Sequence, residues 1–546
     1  MDGYAIALIA VIAWFAILIV GHRLKFWERI HCQVYGPFLM IKTRRGRELI
    51  DRLSKRERFW TAFGRISIGV TIGSMVALML MLIWEAVLVF NYPSSAAPPA
   101  PEMLIGLPGI NPVIPIWYGI LGIAVGIFVH EFAHGILSRV AKIKIESLGI
   151  LLLIFPMGAF VEPNEDEIRA TSRMKRARMY AAGPATNMLV AFICLIVFVI
   201  VIAPSAQPVS DGAIVIGVTP NSPAEKFGIS VWSEVLSVDG NTISNASDLN
   251  DLFFIDPGGP ANISILYRGS ETTIEVPKGV VVTSVTPEYP ASAAGIEVGM
   301  IISSLNNTPI FTLAQFKSVI ENSTHSAPVS ITVLKYGYDP LQGKNWFVRE
   351  PNITSVFLTS KWTYYALNYP DLNREEYRNA SHMGVGSSVF GIRGADPDYV
   401  INQYAKPFSG NLATSSLRLI ALPFLGFTPV ESPMADLYEP TGAFASLPSG
   451  VYWLLLNSFY WIFWINLMLG LTNALPAVPL DGGFVFRDLL KGGFERVNKK
   501  RQEYEHIGGR KPMTEEQMDR FIGYISLSLS LVVLFLIVWQ VIGPRL

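Results

Sequence analysis

The run His130-Glu131-Phe132-Ala133-His134-Gly135 brings together three side chains that can do chemistry with a metal ion. On a helix, residues four apart lie about 40° apart around the axis, so both imidazoles leave from one face. Two nitrogens so placed can share one Zn²⁺, and the carboxylate of Glu131 beside the first can take a proton from water. The motif falls in an apolar run, Pro115–Val140, and of the seven histidines only these two lie in such a run. Ionisable groups are costly inside a bilayer and mark function there. A catalytic zinc usually has three protein ligands and one open position. The third ligand must come from elsewhere, and the acids in or beside apolar runs are Glu85, Glu146, Glu162 and Asp481.

The elements that must carry these groups are membrane spans. Of the 546 residues, 51% are hydrophobic and only 16% charged, whereas a soluble protein has about a quarter charged. That composition excludes a disordered chain and argues against a nucleic-acid binder with a basic face. Two cysteines, Cys32 and Cys194, cannot make a disulfide framework. Apolar runs of spanning length, about 20 residues, fall at Tyr4–Val20, Ile68–Phe90, Pro115–Val140, Ala182–Ala203, Val451–Leu475 and Phe521–Ile542. Basic charge follows the first run and no small-residue cleavage site ends it, so it reads as a retained span.

Charge orients the spans. His22–Arg65 holds 12 Lys/Arg, Arg139–Ala181 holds 8 and Lys491–Arg520 holds 8, whereas Asn91–Ile114 holds none. Basic segments stay in the cytoplasm, which places both termini and residues 205–448 outside a plasma membrane. The formal net charge of zero is then a cancellation. Residues 205–448 carry 13 Lys/Arg against 22 Asp/Glu, a net of −9, and the remainder carries +9. Six Asn-x-Ser/Thr triplets, at Asn245, Asn262, Asn306, Asn322, Asn352 and Asn379, all lie in that exported segment.

This topology sets depth. Trp117 to His130 is about 20 Å of helix, which puts the metal motif toward the cytoplasmic end of its span. Asp481 lies at a similar depth, after Asn473-Ala474-Leu475-Pro476-Ala477-Val478-Pro479-Leu480, where two prolines end the helix. Depth therefore favours Asp481, while Glu85 sits near the outer end of its span. Gly482-Gly483 allow the chain to turn closely past the metal. The segment Ser147–Pro163 is too short to span and is broken by Pro156 and Gly158, which favours a re-entrant strand or hairpin over an interfacial helix.

The exported segment contains a duplication. Val215–Ile243 aligns without a gap on Val282–Ile310, with 11 of 29 positions identical. Each copy reads as strand, Pro-x-x-Pro turn, short helix ending at Gly228 or Gly295, strand, turn at Asp239-Gly240 or Asn306-Asn307, and a helical stretch near Leu249–Phe253 or Phe316–Ile320. Both copies resemble PDZ domains, which bind extended peptides at a sheet edge. Further strands are expected at Thr354–Thr359 and Val385–Ile392.

HEFAHG in one span, Gly183-Pro184-Ala185-Thr186-Asn187 opening the next and NALPAVPLDGG in a later one resemble the site-2 protease family of intramembrane zinc metalloproteases. The resemblance implies that His130, His134 and Asp481 ligate one Zn²⁺ and that Glu131 is the catalytic acid/base. It implies that Asn473, Pro476 and Asn187 handle substrate near the metal. It also implies a transmembrane protein substrate, first shortened by another protease, cut near the cytoplasmic side in regulated intramembrane proteolysis. The expected architecture is a polytopic α-helical membrane protein of about six spans, with a re-entrant β-element and two extracytoplasmic PDZ-like α+β domains. Its expected parts are a two-span region (1–114), the first core part (115–203) and two PDZ-like domains (205–278 and 279–337). An extension (338–448), a second core part (449–490) and a cytoplasmic segment with the last span (491–546) follow. Two other classes compete: a transporter, which should repeat within the membrane, and a catalytically silent receptor or chaperone, which need not keep Glu131.

Overall fold

A computed structural model describes residues 3–29, 32–43, 46–91, 101–104, 106–153, 155–323, 328–340, 342–350, 355–408, 411–425, 429–504 and 512–543. The acceptor triplet at Asn352 and the start of the strand expected at Thr354 lie outside these. The chain forms two compact units, one built from residues 1–198, 411–429 and 454–546, the other from 199–410 and 430–453.

The first unit begins with α1 (Gly3–Arg23), followed by an antiparallel hairpin of β1 (Cys32–Tyr35) and β2 (Phe38–Thr43). Then come α2 (Glu57–Asn91) and α3 (Ile116–Val140), the strands β3 (Ile145–Leu153) and β4 (Phe155–Pro163), and α4 (Arg173–Ile196). Later in the chain come α5 (Ser449–Ala474), which belongs to the first unit from Leu454 onward, α6 (Asp481–Tyr504) and α7 (Glu515–Ile542). Among the described residues, five helical stretches are long and apolar enough to cross a membrane: α2, α3, Arg173–Ser205, α5 and α7. Leu80, Trp84, Phe128, Phe192, Leu531 and Phe535 are exposed on them, as expected where a helix faces hydrocarbon rather than water. The sixth expected span, Tyr4–Val20, lies within α1, where the apolar helix with described side chains is Ile12–Arg23.

The segment Ser147–Pro163 is a β-hairpin. Strands β3 and β4 pair antiparallel from Ile145↔Pro163 to Leu153↔Phe155, with an irregularity between Leu151 and Leu152. The N-terminal hairpin adds to it, Leu39↔Leu152 through Thr43↔Leu148, giving the order β1-β2-β3-β4. The basic segment His22–Arg65 thus holds half of a sheet, which its charge gave no reason to expect. Strand β4 is the edge. Behind it, Ile50, Ala133, Ile136, Leu137, Ile143, Met179 and Ala182 form a buried cluster that joins α3, α4 and the helix Arg47–Ser54.

The second unit carries the duplication as two sheets. The first holds β5 (Ala213–Val218), β6 (Glu234–Val238), β7 (Pro260–Tyr267) and β8 (Ser270–Pro277). The second holds β9 (Val280–Val285), β10 (Ile301–Leu305), β11 (Pro328–Asp339) and β12 (Lys344–Arg349). Corresponding pairs keep the repeat's register: Ala213↔Val235 in one, Val280↔Ile302 in the other. Both expected turns have the positive φ that hairpin turns need, at Asp239-Gly240 and at Asn306-Asn307. The helix expected at Leu249–Phe253 is Ala246–Asn250 instead, because the Asn245 side chain accepts from the Asp248 N–H and fixes its start. Each sheet is completed from a distance. Strand β13 (Val385–Val389) pairs with β9, and β14 (Ile392–Ala395) pairs with β5. Between them, Phe390 (φ 56°) and Gly391 (φ 81°) reverse the chain, and a Cβ at Gly391 would strike Ser222.

Candidate metal centre

Helix α3 delivers His130 and His134 from one face, at the end where it packs on α4. Asp481 is the first residue of α6, placed there because α5 stops at Ala474 and the turn Leu475–Leu480 contains two prolines. Asp481 Oδ2 lies 2.9 Å from His130 Nε2 and 3.2 Å from His134 Nε2, and the three donors all fall within 4.8 Å of one another. Ligand atoms at the corners of a tetrahedron about a Zn²⁺ are separated by about 3.3 Å for bonds of about 2.0 Å. The set fits one metal ion.

Its surroundings fit too. His134 Nδ1 lies 2.7 Å from the Met179 carbonyl, which can only accept, so Nδ1 carries the proton and Nε2 keeps its lone pair for the site. The amide Nδ2 of buried Asn187 lies 3.3 Å from His130 Nδ1, and its Oδ1 finds no partner among the described residues. With the amide turned so that Oδ1 accepts from the Nδ1–H, His130 also presents Nε2. Gly183 lies directly against the pair. A Cβ there would fall 2.5 Å from His134 Nε2 and 2.6 Å from His130 Nε2, so only glycine leaves the imidazoles their places.

The site opens into a cleft of about 870 Å³ lined by Glu131, β4 residues Phe160–Pro163, β2 residues Met40 and Lys42, Asn473 and Pro479. Glu131 is half-buried, and the Val161 N–H of the edge strand donates to its Oε2 at 3.2 Å. Lys42 pairs with Glu162 at 3.2 Å, and Ser147 donates to the same carboxylate. Glu162 thus belongs to the hairpin's own network and Glu85 lies on α2; neither is in the metal group found among the described residues.

The expected site residues thus divide by position. His130, His134, Asp481 and Glu131 converge. Asn473 lines the cleft, its amide donating to the Leu469 carbonyl at 3.1 Å. Pro476 is buried in the turn before Asp481, and Asn187 stands behind His130. The close approach of Gly482 and Gly483 is to the backbone of Ala474 and Ala477. Sequence reasoning missed Met179, the contact of Val161 with Glu131, and Lys42. The first two act through backbone atoms, which no residue type signals, and Lys42 sits on a strand hidden in a basic segment.

Residues 118–508 match the model of peptidase family M50. The chain belongs to this family, the site-2 protease family of zinc metalloproteases. Among relatives, an uncharacterized protein of Methanocaldococcus jannaschii is 33% identical over 189 residues, 34% of this chain and 48% of that protein. A putative zinc metalloprotease of Clostridium perfringens is 31% identical over 154 residues, covering 27% and 44%. The regulator of sigma E protease of Haemophilus influenzae is 22% identical over 443 residues, covering 68% and 90%. The chain spans about half the length of the first two relatives. The M50 metal is zinc, and the His₂-carboxylate donor set here suits it. This M50 chain is a multi-pass membrane protein.

Proposed function

We propose that this chain is an intramembrane zinc metalloendopeptidase that cleaves transmembrane segments of membrane-tethered regulators near the cytoplasmic side. The convergence of His130, His134 and Asp481 beside Glu131, in a cleft walled by an open strand edge, carries the reading. His130, His134 and Asp481 hold the zinc. When bound, zinc supplies a Lewis acid that polarises the scissile carbonyl and acidifies water.

This chain's own residues do the rest. A peptide bond in a helix is shielded by its own hydrogen bonds, so the substrate must unwind and its freed backbone groups need partners. Strand β4 offers them as an unpaired edge, with Phe160–Pro163 along the cleft. Asn473 stands in the same cleft and supplies a further polar contact, and Pro476 shapes the turn that presents Asp481. Glu131 takes a proton from water and returns it to the leaving amide nitrogen. Asn187 acts through His130, where the sequence had suggested substrate contact. Hairpin β3–β4 is the re-entrant element of this reading.

The paired sheets are PDZ-like modules on the extracytoplasmic side that dock a peptide or exclude substrates not yet shortened by another protease. A cavity of about 740 Å³ lined from both modules, including Lys317, Ser387 and Arg393, supports docking. A silent receptor or chaperone is the competing reading, and a single assay separates them. Purified full-length protein with zinc should cut a transmembrane peptide, and Glu131→Gln should abolish the cut while retaining zinc. Unchanged cleavage by that variant, or after zinc chelation, overturns the proposal.

A further inference from the structure

A second cavity, of about 550 Å³, opens where α4, α6 and α7 come together, sharing Ile168 and Tyr180 with the wall of the metal cleft. Four cations line it, Arg169, Arg176, Arg487 and Lys491, against two acids, Asp488 and Asp519. Two of the cations are spent internally. The Arg176 guanidinium holds Asp488 at 2.6 and 3.2 Å, and Lys491 holds Asp519 at 2.6 Å. Arg169 pairs only with Glu165, at 3.3 Å and well exposed, and Arg487 has no carboxylate within ion-pair distance among the described residues. With Arg169 held by Glu165 at the rim, the cavity keeps one uncompensated positive charge, on Arg487.

Arg169 and Arg487 are exposed to solvent, and three features shape the patch for an anion. The pair of half-buried Arg176 with buried Asp488 and the stack of Tyr180 on Phe484 (centroids 4.8 Å apart) fix its walls. Tyr180 also lines the cavity and brings a hydroxyl that can donate. A planar guanidinium matches phosphate geometry with two parallel donors. Its place decides the ligand's source. Charged residues give way to apolar ones at Ala181 on α4 and at Phe521 on α7, so the cavity lies at headgroup level, not in bulk water. Basic pockets between spanning helices at that level suit anionic headgroups.

We infer that this cavity binds the phosphate of an anionic membrane lipid, with Arg487 as its main contact. The inference does not depend on proteolysis, and its test does not measure it. Delipidated full-length protein is examined by native mass spectrometry with phosphatidylglycerol or phosphatidylcholine, beside Arg487→Gln and Lys499→Gln. Lys499 lies on the same helix, exposed and outside the cavity. The expected result is one retained phosphatidylglycerol, bound about tenfold more weakly by Arg487→Gln and unchanged in Lys499→Gln. Equal retention of phosphatidylcholine, or equal loss in both variants, overturns the site. Displacement of the lipid by millimolar inorganic phosphate, with the same thermal shift from phosphate alone, overturns the lipid as its source. A melting temperature for Arg487→Gln without lipid, within a degree or two of the parent, confirms that the variant is folded.

Discussion

Gly183→Ala is the sharpest test of the metal centre, because it adds one methyl group and removes nothing. The new carbon would lie 2.5 Å from His134 Nε2 and 2.6 Å from both Cε1 and Nε2 of His130. Ordinary contact needs about 3.5 Å, so each ring must retreat by about 1 Å. Retreat is not free. His134 is tied to the Met179 carbonyl, His130 backs onto Asn187, and α3 is packed behind them. Losing the support of one ligand costs about 10–100-fold in metal affinity, and a misplacement of about 1 Å can cost about 100-fold in rate. Zinc affinity, measured by competition with a chromogenic chelator, should therefore fall about 100-fold, and cleavage of a transmembrane peptide at saturating zinc by a similar factor. Gly493→Ala is the control, since a Cβ there meets nothing within 4 Å and α6 should gain slightly in helix propensity. If Gly183→Ala binds one zinc per chain with affinity within threefold of the parent and cleaves as fast, the imidazoles do not form the metal site described.

Asn187→Leu removes the partner of His130 Nδ1 and should weaken zinc about tenfold, read by the same competition, with Asn187→Asp recovering most of it by offering an acceptor. Val161→Pro deletes the N–H that donates to Glu131 and spoils the strand edge; cleavage should fall at least tenfold while zinc content stays at one per chain. In the second unit, burial and the neighbouring Lys361 ammonium push the His382 imidazole down to about 4. Its folded pKa lies below the unfolded one, so the unfolded chain takes the proton first as pH falls. Stability should be insensitive to this group above about pH 7 and decline by roughly 2 kcal/mol toward pH 4, after allowing for partial exposure. Hydrogen exchange around β13 from pH 7.5 to 4.5 should show faster opening, and His382→Phe should flatten the trend.

The candidate ligand set, which the structure brings together, was legible because its members are rare where they stand. Two histidines and an acid in or beside lipid-length apolar runs are too costly to persist there without a metal or a proton to handle, and helical spacing already placed the imidazoles together. The hairpin at 145–163 was legible for a different reason: its length forbids a span, and Pro156 disfavours a helix. Its extension by β1 and β2 was not, since strand pairing at a separation of more than 100 residues leaves no periodic trace. The repeats carried their register openly, in the same Val-x-x-Val-Thr-Pro text. The strands that complete them lie about 100 and about 175 residues downstream of the strands they pair with and resemble neither copy, so residues 385–395 gave only a β-branched hint. Contacts made by main-chain atoms, at Met179 and Val161, are invisible to any reading of residue types.

The placement of β13 and β14 bears on how this protein is made. A ribosome releases residues 213–349 well before it reaches 395, so for that interval both sheets exist without their outer strand and present bare edges of hydrogen-bonding groups. Neither module can mature ahead of the other, because one short ribbon, reversed at Phe390-Gly391, closes the two at once. Both modules therefore wait on the same late stretch of chain for their outer strands. Truncation anywhere upstream of residue 395 should leave a sticky intermediate, whereas a nascent chain released after it should be protease-resistant.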